Sequence, residues 1–245
     1  MIKALFFDID GTLVSFRTHQ IPESTLQAVR TARQRGIKVF IATGRPRPFI
    51  NNLAGLEYDG LMSVNGASII LNDGTEVENK FVPQEDVRRM VGYVDEHPLS
   101  VVFAGSREAF VVNMNEPFRE VFDLLNLAQP PIRPASYALQ MEVQQVIAFF
   151  PIEQEAHIMS CVLTHCEANR WHPAFADCIA RGTNKATGID KVCQHYGWDI
   201  GEVMAFGDGD NDSGMVKNAG IGVAMENAME NAMERRSRRR IFQME

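Results

Sequence analysis

The sequence predicts an α/β protein: a parallel sheet of strands joined by helices, with a module of α+β texture inserted between two parts of it. Three observations carry this reading. Leu5-Phe6-Phe7 is an apolar run too short for a helix, and it stops where two carboxylates, Asp8 and Asp10, stand. A helical pattern and a second apolar run follow it, making a strand-helix-strand unit whose crossover is right-handed and whose strands are parallel. Far along the chain, Val203-Met204-Ala205-Phe206 stops in the same way, at Gly207-Asp208-Gly209-Asp210-Asn211-Asp212.

The elements follow in order. After the acidic strand end, Gly11 lets the chain turn. Pro22-Glu23-Ser24 opens a helix with Leu26, Val29 and Ala32 at helical spacing, and Gly36 stops it. The strand Lys38 to Ala42 ends in Thr43-Gly44-Arg45, which puts Thr43 at the sheet edge that carries Asp8. From Asp59 the texture changes to short apolar runs joined by Asn65-Gly66 and Asp73-Gly74, both hairpin signals. Pro83 closes this part. Helical spacing returns at Val87, Met90, Val91 and Val94, followed by strands at Val101 to Ala104 and Ala109 to Val112 and a helix from Phe118 to Leu125. After the proline-rich loop Pro130 to Pro134 come a strand at Val146 to Phe150, a helix from Glu153 to His165, and strands at Asn169 to Trp171 and Phe175 to Ile179. The α/β texture resumes after Gly182, with a helix from Asn184-Lys185 that turns Ile189, Val192 and Cys193 inward. The strand Val203 to Phe206, a helix with Met215 and Val216, and a short strand Ile221 to Val223 complete the pattern.

At roughly 150 residues per domain, 245 residues make one large domain or two small ones. With 45% hydrophobic and 22% charged residues, the composition is that of a globular protein with a real core. A net charge of −7 argues against a nucleic-acid partner for the whole chain. The N-terminal apolar stretch is broken by Asp8 before it could form a signal core, and no apolar run approaches the roughly 20 residues of a membrane span. Cys161, Cys166, Cys178 and Cys193 form no C-x-x-C pair, which fits reduced thiols. The expectation is a soluble cytoplasmic protein without membrane attachment; the sequence sets no oligomeric state.

One sheet edge would collect Asp8, Asp10, Thr43, Lys185, Asp208, Asn211 and Asp212. Two close carboxylates repel unless a cation or a shared proton sits between them. Carboxylates from two strand ends suit a hard, oxygen-seeking cation such as Mg²⁺. A lysine and a hydroxyl beside that ion suit a phosphate, one through charge and the other through a hydrogen bond. Together they point to phosphoryl transfer.

Asp8-Ile9-Asp10-Gly11-Thr12, Thr43-Gly44-Arg45, Lys185 and Gly207-Asp208 with Asn211-Asp212 resemble, in order, the four signature motifs of the haloacid dehalogenase superfamily, over the chain to about Asn227. The Asn65-Gly66-Ala67 turn and the long insert resemble its Cof-type branch. The resemblance implies a Rossmann-like core from residues 1–82 and 182–245 and an α/β cap of the C2B class at 83–181. It implies a phosphatase for small phosphomonoesters, sugar phosphates or related metabolites, enclosed between cap and core. Asp8 would be the nucleophile that becomes an aspartyl-phosphate, and Asp10 the general acid and base. Asp8, the backbone carbonyl of Asp10 and Asp208 would hold Mg²⁺. Thr43, the amide of Gly44, Lys185 and Asn211 would bind the phosphoryl oxygens, with Asp212 orienting Lys185 or a metal-bound water. Asp10 argues against the dehalogenases of the superfamily, which need no acid there.

Other readings stand beside this one. A phosphomutase or phosphotransferase shares the same motifs. A phosphate-ligand binding module would need neither nucleophile nor acid, so Asp8 and Asp10 speak against it. A damaged enzyme with an altered tail is the colourless alternative. A calcium loop over 207–212 fails, because Ser213 and Ala219 stand where such a loop needs glycine and glutamate. Arg45 would contact substrate or pair with a surface acid. His157, Cys161 and His165 recur at four-residue spacing that would suit zinc, but no fourth ligand declares itself and they read as ordinary helix positions. At the tail, Met225, Met229 and Met233 make a helical stripe that reads as packing, and Arg235 to Arg240 a solvated basic run.

Overall fold

The computed structural model describes residues 1–226. Met229, Met233 and the basic run from Arg235 lie outside them. The described chain divides into two compact units. The first takes Met1–Arg45, Asn51–Asn79 and the residues from Thr183 onward; the second takes Pro46–Ile50 and Lys80–Gly182. The expected limits of 82 and 182 stand beside observed ones of 79 and 183. Local bonding explains the first, since the Val82 amide donates to Val143 O at 2.8 Å within the second unit; Pro46–Ile50 joins that unit through Phe49, edge-on against Phe122 at 5.4 Å.

The chain opens with β1 (Ala4–Phe7), α1 (Glu23–Gln34) and β2 (Lys38–Ala42), then β3 (Gly60–Ser63), β4 (Ser68–Leu71) and β5 (Glu76–Asn79). The second unit holds α2 (Gln84–Glu96), β6 (Ser100–Ala104), β7 (Ala109–Val112), α3 (Glu116–Leu124), β8 (Gln145–Phe149), α4 (Ile152–His157), β9 (Cys166–His172) and β10 (Phe175–Ala180). The chain returns to the first unit as α5 (Lys185–Tyr196), β11 (Val203–Gly207), α6 (Ser213–Asn218) and β12 (Ile221–Ala224).

The first unit is a seven-stranded sheet in the order β12-β11-β1-β2-β3-β4-β5. The pairs from β12 to β3 are parallel, and β4 and β5 complete the sheet as antiparallel strands. The order reverses at β1, which lies between β2 and β11; in open α/β sheets such a switch point is where ligands bind, at the carboxyl ends of the strands. Ala4 and Phe6 of β1 are fully buried, and Leu5 and Phe7 on its other face are half-buried. Phe6 stacks on Phe40 at 4.7 Å, and Phe7 on Phe206 at 4.4 Å. Ile189, Val192, Met215 and Val216 from α5 and α6 close one face.

The second unit is a five-stranded antiparallel sheet in the order β7-β6-β8-β10-β9. Alternation along its strands gives it two apolar faces, one around Phe103, Phe110 and Phe150 and one around Phe118, Phe122 and Phe149. The helix expected to run to His165 stops earlier. α4 ends at His157, a π-helical turn covers Ile158–Val162, and β9 begins at Cys166. Asp86, fully buried on α2, is the cause: it accepts the His165 amide and Nδ1, both at 2.8 Å, and pairs with Arg89, which also donates to Thr164 at 2.7 Å. His165 is therefore engaged by a carboxylate, and no metal-ligating group that includes His157, Cys161 or His165 is found among the described residues.

Candidate active site

Asp8 follows the last residue of β1, and its amide continues the ladder by donating to Phe206 O at 3.1 Å. Across the sheet, Lys185 is the first residue of α5, whose start is fastened by Asn184. The Asn184 side chain accepts the Thr187 amide at 2.9 Å while Thr187 Oγ1 accepts the Asn184 amide at 3.2 Å. That cap aims a fully buried ammonium: Lys185 Nζ donates to Asp8 Oδ1 at 2.6 Å and to Asp212 Oδ1 at 2.5 Å. Asp212 is fixed in turn, since its Oδ2 accepts the amides of Asp208 and Gly209 at 3.1 and 2.9 Å.

Asp208 is held from the β1 side. Thr12 Oγ1 donates to its Oδ1 at 3.0 Å, and Gly11, at φ +84°, lies so close that a Cβ there would come within 2.0 Å of its Oδ2. Asp10 is taken by Arg45, whose Nε and Nη2 donate to its two oxygens at 2.6 and 2.7 Å. Arg45 thus pairs with an acid, and that acid is Asp10, the second carboxylate of the first motif. Thr43 Oγ1 accepts the Arg45 amide at 3.1 Å. Asn211 Nδ2 donates to Asn65 Oδ1 at 2.9 Å, and a Cβ on Gly44 would lie 3.2 to 3.4 Å from those two amides. Asp8, Asp10, Thr43, Gly44, Arg45, Lys185, Asp208, Asn211 and Asp212 therefore come together at one edge of one sheet.

Charge is crowded here. Burial pushes the Asp8 carboxyl well above the usual carboxylate range, helped by the negative charge of Asp212 and opposed by Lys185. Burial likewise lifts Asp208 to about 6, with Thr12 pulling down and Asp212 pushing up. Burial alone would depress the Lys185 ammonium, but Asp212 and Asp8 outweigh it and raise its pKa. Asp8, Asp208 and Asp212 each offer an oxygen within 4.8 Å of the others. Three carboxylates around one ammonium leave excess negative charge, and an all-oxygen donor set suits a hard divalent cation. The residues present fit such an ion. The Asp10 carboxylate, held by Arg45, is outside that cluster.

Two supporting residues were not singled out from the sequence for this role. Thr12 lies inside the first motif, but its bond to Asp208 spans the sheet. Asn65 reads as a turn residue, and its φ of +51° is the local signal; what the sequence does not carry is its partner, Asn211.

A sheet of this order with acids at its switch point defines a class of α/β enzymes. The family of haloacid dehalogenase-like hydrolases matches residues 5–237, and the chain belongs to it. It is a phosphatase of the Cof type. Among curated relatives, YkrA of Bacillus subtilis (strain 168), provisionally named as a phosphatase, is 33% identical over 229 residues, covering 92% of this chain and 87% of that one. YcsE of the same organism, a 5-amino-6-(5-phospho-D-ribitylamino)uracil phosphatase, is 30% identical over 235 residues, covering 93% and 85%. Among solved structures, the subclass IIB sugar phosphatase BT4131 matches with a TM-score of 0.88 and 39% identity, covering 98% of this chain and 93% of that one. No helix among the described residues is long and apolar enough to cross a membrane.

Proposed function

We propose that the chain hydrolyses small phosphomonoesters in a Mg²⁺-dependent reaction through an aspartyl-phosphate on Asp8. The observation that carries this reading is Asp8 itself, buried at the switch point and paired with Lys185 among further carboxylates. The Asp8 carboxylate attacks phosphorus, an O–P bond forms and the ester P–O bond breaks; the leaving alkoxide takes a proton from Asp10. Water then attacks the aspartyl-phosphate, gives its proton to Asp10, and frees phosphate and the Asp8 carboxylate. Asp10 accepts from Arg45 on both oxygens, so donation requires Arg45 to give up at least one of those bonds. Lys185 neutralises the charge that gathers on the phosphoryl group, and Thr43, the Gly44 amide and Asn211 supply donors for its oxygens.

Asp8, Asp208 and the backbone carbonyl of Asp10 would hold Mg²⁺, with Asp212 beside them. The ion would offset the repulsion between carboxylate and phosphate. The sugar phosphatase among the neighbours and the phosphoribityl substrate in the relative's name support a sugar phosphate or related metabolite. The 83–181 insert takes the part of a C2B cap in this reading. Four free thiols support a cytoplasmic location. A phosphate-release screen over metabolite esters with Mg²⁺ tests the reaction: the wild type releases phosphate from at least one ester, and Asp8→Asn loses it. Equal release by both proteins removes Asp8 as nucleophile.

A further inference from the structure

The Asn65-Gly66 turn is built in a way that a hairpin alone does not require. Val64, Asn65 and Gly66 have φ of +52°, +51° and +98°, three left-handed residues in succession. Glycine accepts that conformation and asparagine tolerates it, but a β-branched valine is strained in it. Two bonds to the second motif hold the turn there: the Val64 amide donates to Arg45 O at 3.2 Å, and the Asn65 amide to Thr43 O at 2.9 Å. Strain of this kind persists where the surrounding structure over-determines it, and it gathers at functional sites. What it fixes here is the Asn65 side chain, which is 3% exposed and stands over Gly44.

That carboxamide is only half used. Its Oδ1 accepts from Asn211 Nδ2 at 2.9 Å, while no group among the described residues accepts from its Nδ2. A Cβ on Gly44 would lie 3.3 Å from Asn65 Nδ2 and 3.4 Å from Asn211 Nδ2, so both NH₂ groups border the space that this glycine leaves open. An amide NH₂ carries two donors and no acceptor, so the group that satisfies it is one that accepts. The neighbours have fewer donors to spare. Lys185 gives two of its three to Asp8 and Asp212, and Asn211 gives one of its two to Asn65, whereas Asn65 keeps both of its own. A phosphoryl group brings several oxygens that only accept, and neutral donors hold it without adding charge. We infer that Asn65 is a further phosphoryl-binding residue: its Nδ2 donates to a non-bridging oxygen, besides orienting Asn211 through Oδ1. The inference rests on the reading that a phosphoryl group is received beside Thr43 and Gly44, and it adds a residue that none of the four motifs contains.

Calorimetric titration of the full chain with inorganic phosphate in the presence of Mg²⁺ tests this, because it reads binding without turnover. The variants are Asn65→Gly, which adopts the left-handed backbone without strain, Asn211→Ala, and the two combined. The wild type binds phosphate saturably, and Asn65→Gly weakens that binding by about tenfold or more, as expected for a lost hydrogen bond to a charged group. In the Asn211→Ala background the same change still costs about threefold or more. A residue that only steadied Asn211 would cost nothing there, and that result overturns the inference. Asn65→Asp keeps the acceptor for Asn211 and tolerates the backbone, so it serves should Asn65→Gly fold poorly. Phosphate binding as tight in Asn65→Asp as in the wild type overturns the inference too, and so does a wild type that binds no phosphate. The two readings fail separately. Phosphate binding with no ester cleaved in the screen removes the hydrolysis and keeps this donor; ester cleavage with phosphate binding unchanged in Asn65→Gly does the reverse.

Discussion

Gly11 is the residue at which backbone conformation and chemistry meet. A side chain there would be strained at φ +84° and would drive into the Asp208 carboxylate at 2.0 Å. Gly11→Ala is therefore expected to lower stability by more than about 1 kcal/mol and to displace Asp208. Urea unfolding read beside phosphate release checks both, and an active variant of unchanged stability would refute the contact. Asp177 supplies a pH dependence outside the carboxylate cluster. Its folded carboxyl titrates near 7, against an ordinary value of 3.8, so folding takes up a proton between those values. Its stabilising share is complete below pH 4 and is lost as pH rises towards 7. Asp177→Asn should accordingly be more stable than the wild type at pH 8, by at most about 4 kcal/mol, with the gap closing towards pH 4. Melting curves across that range decide it; a gap that does not change with pH would remove burial of the charge as its cause.

The start of α5 is the element that the site depends on most. Asn184 caps it, Lys185 is its first residue, and the Gly66 turn lies against it so closely that a Cβ on Gly66 would come 2.8 Å from Asn184 O. Asn184→Ala should cost about 1 kcal/mol of stability and also lower phosphate release, because the same turn aims the ammonium. A loss of stability with release intact would separate the cap from the site. The helix itself was legible from Asn184-Lys185 and the spacing of Ile189, Val192 and Cys193. The end of α4 was not. Helical spacing runs on to His165, and only Asp86, 79 positions away in the chain, captures that residue and stops the helix.

On the scale of the whole molecule, three separate stretches of the chain bring Asp8, Lys185 and the Asp208 to Asp212 loop to one sheet edge. The excess negative charge there makes the folded state hospitable to a divalent cation, whereas the unfolded chain scatters the same acids. Adding Mg²⁺ should therefore raise the melting temperature. At one hundred times the dissociation constant the gain is about 2.7 kcal/mol, and chelation with EDTA should reverse it. Thermal melting with and without the ion checks this, and a curve indifferent to Mg²⁺ would argue against the carboxylate cluster as its site.

By itself the sequence determined the α/β class and the strand ends that carry acids, because short apolar runs, glycine turns and paired carboxylates are local patterns. It could not determine partners across the sheet. That Arg45 clamps Asp10 on both oxygens, that Asn65 steadies Asn211, and that Thr12 reaches Asp208 follow from register and packing between strands distant in the chain. Those pairings arise only when the sheets form, since a side chain's neighbour on the next strand is set by the register and not by its neighbours in sequence.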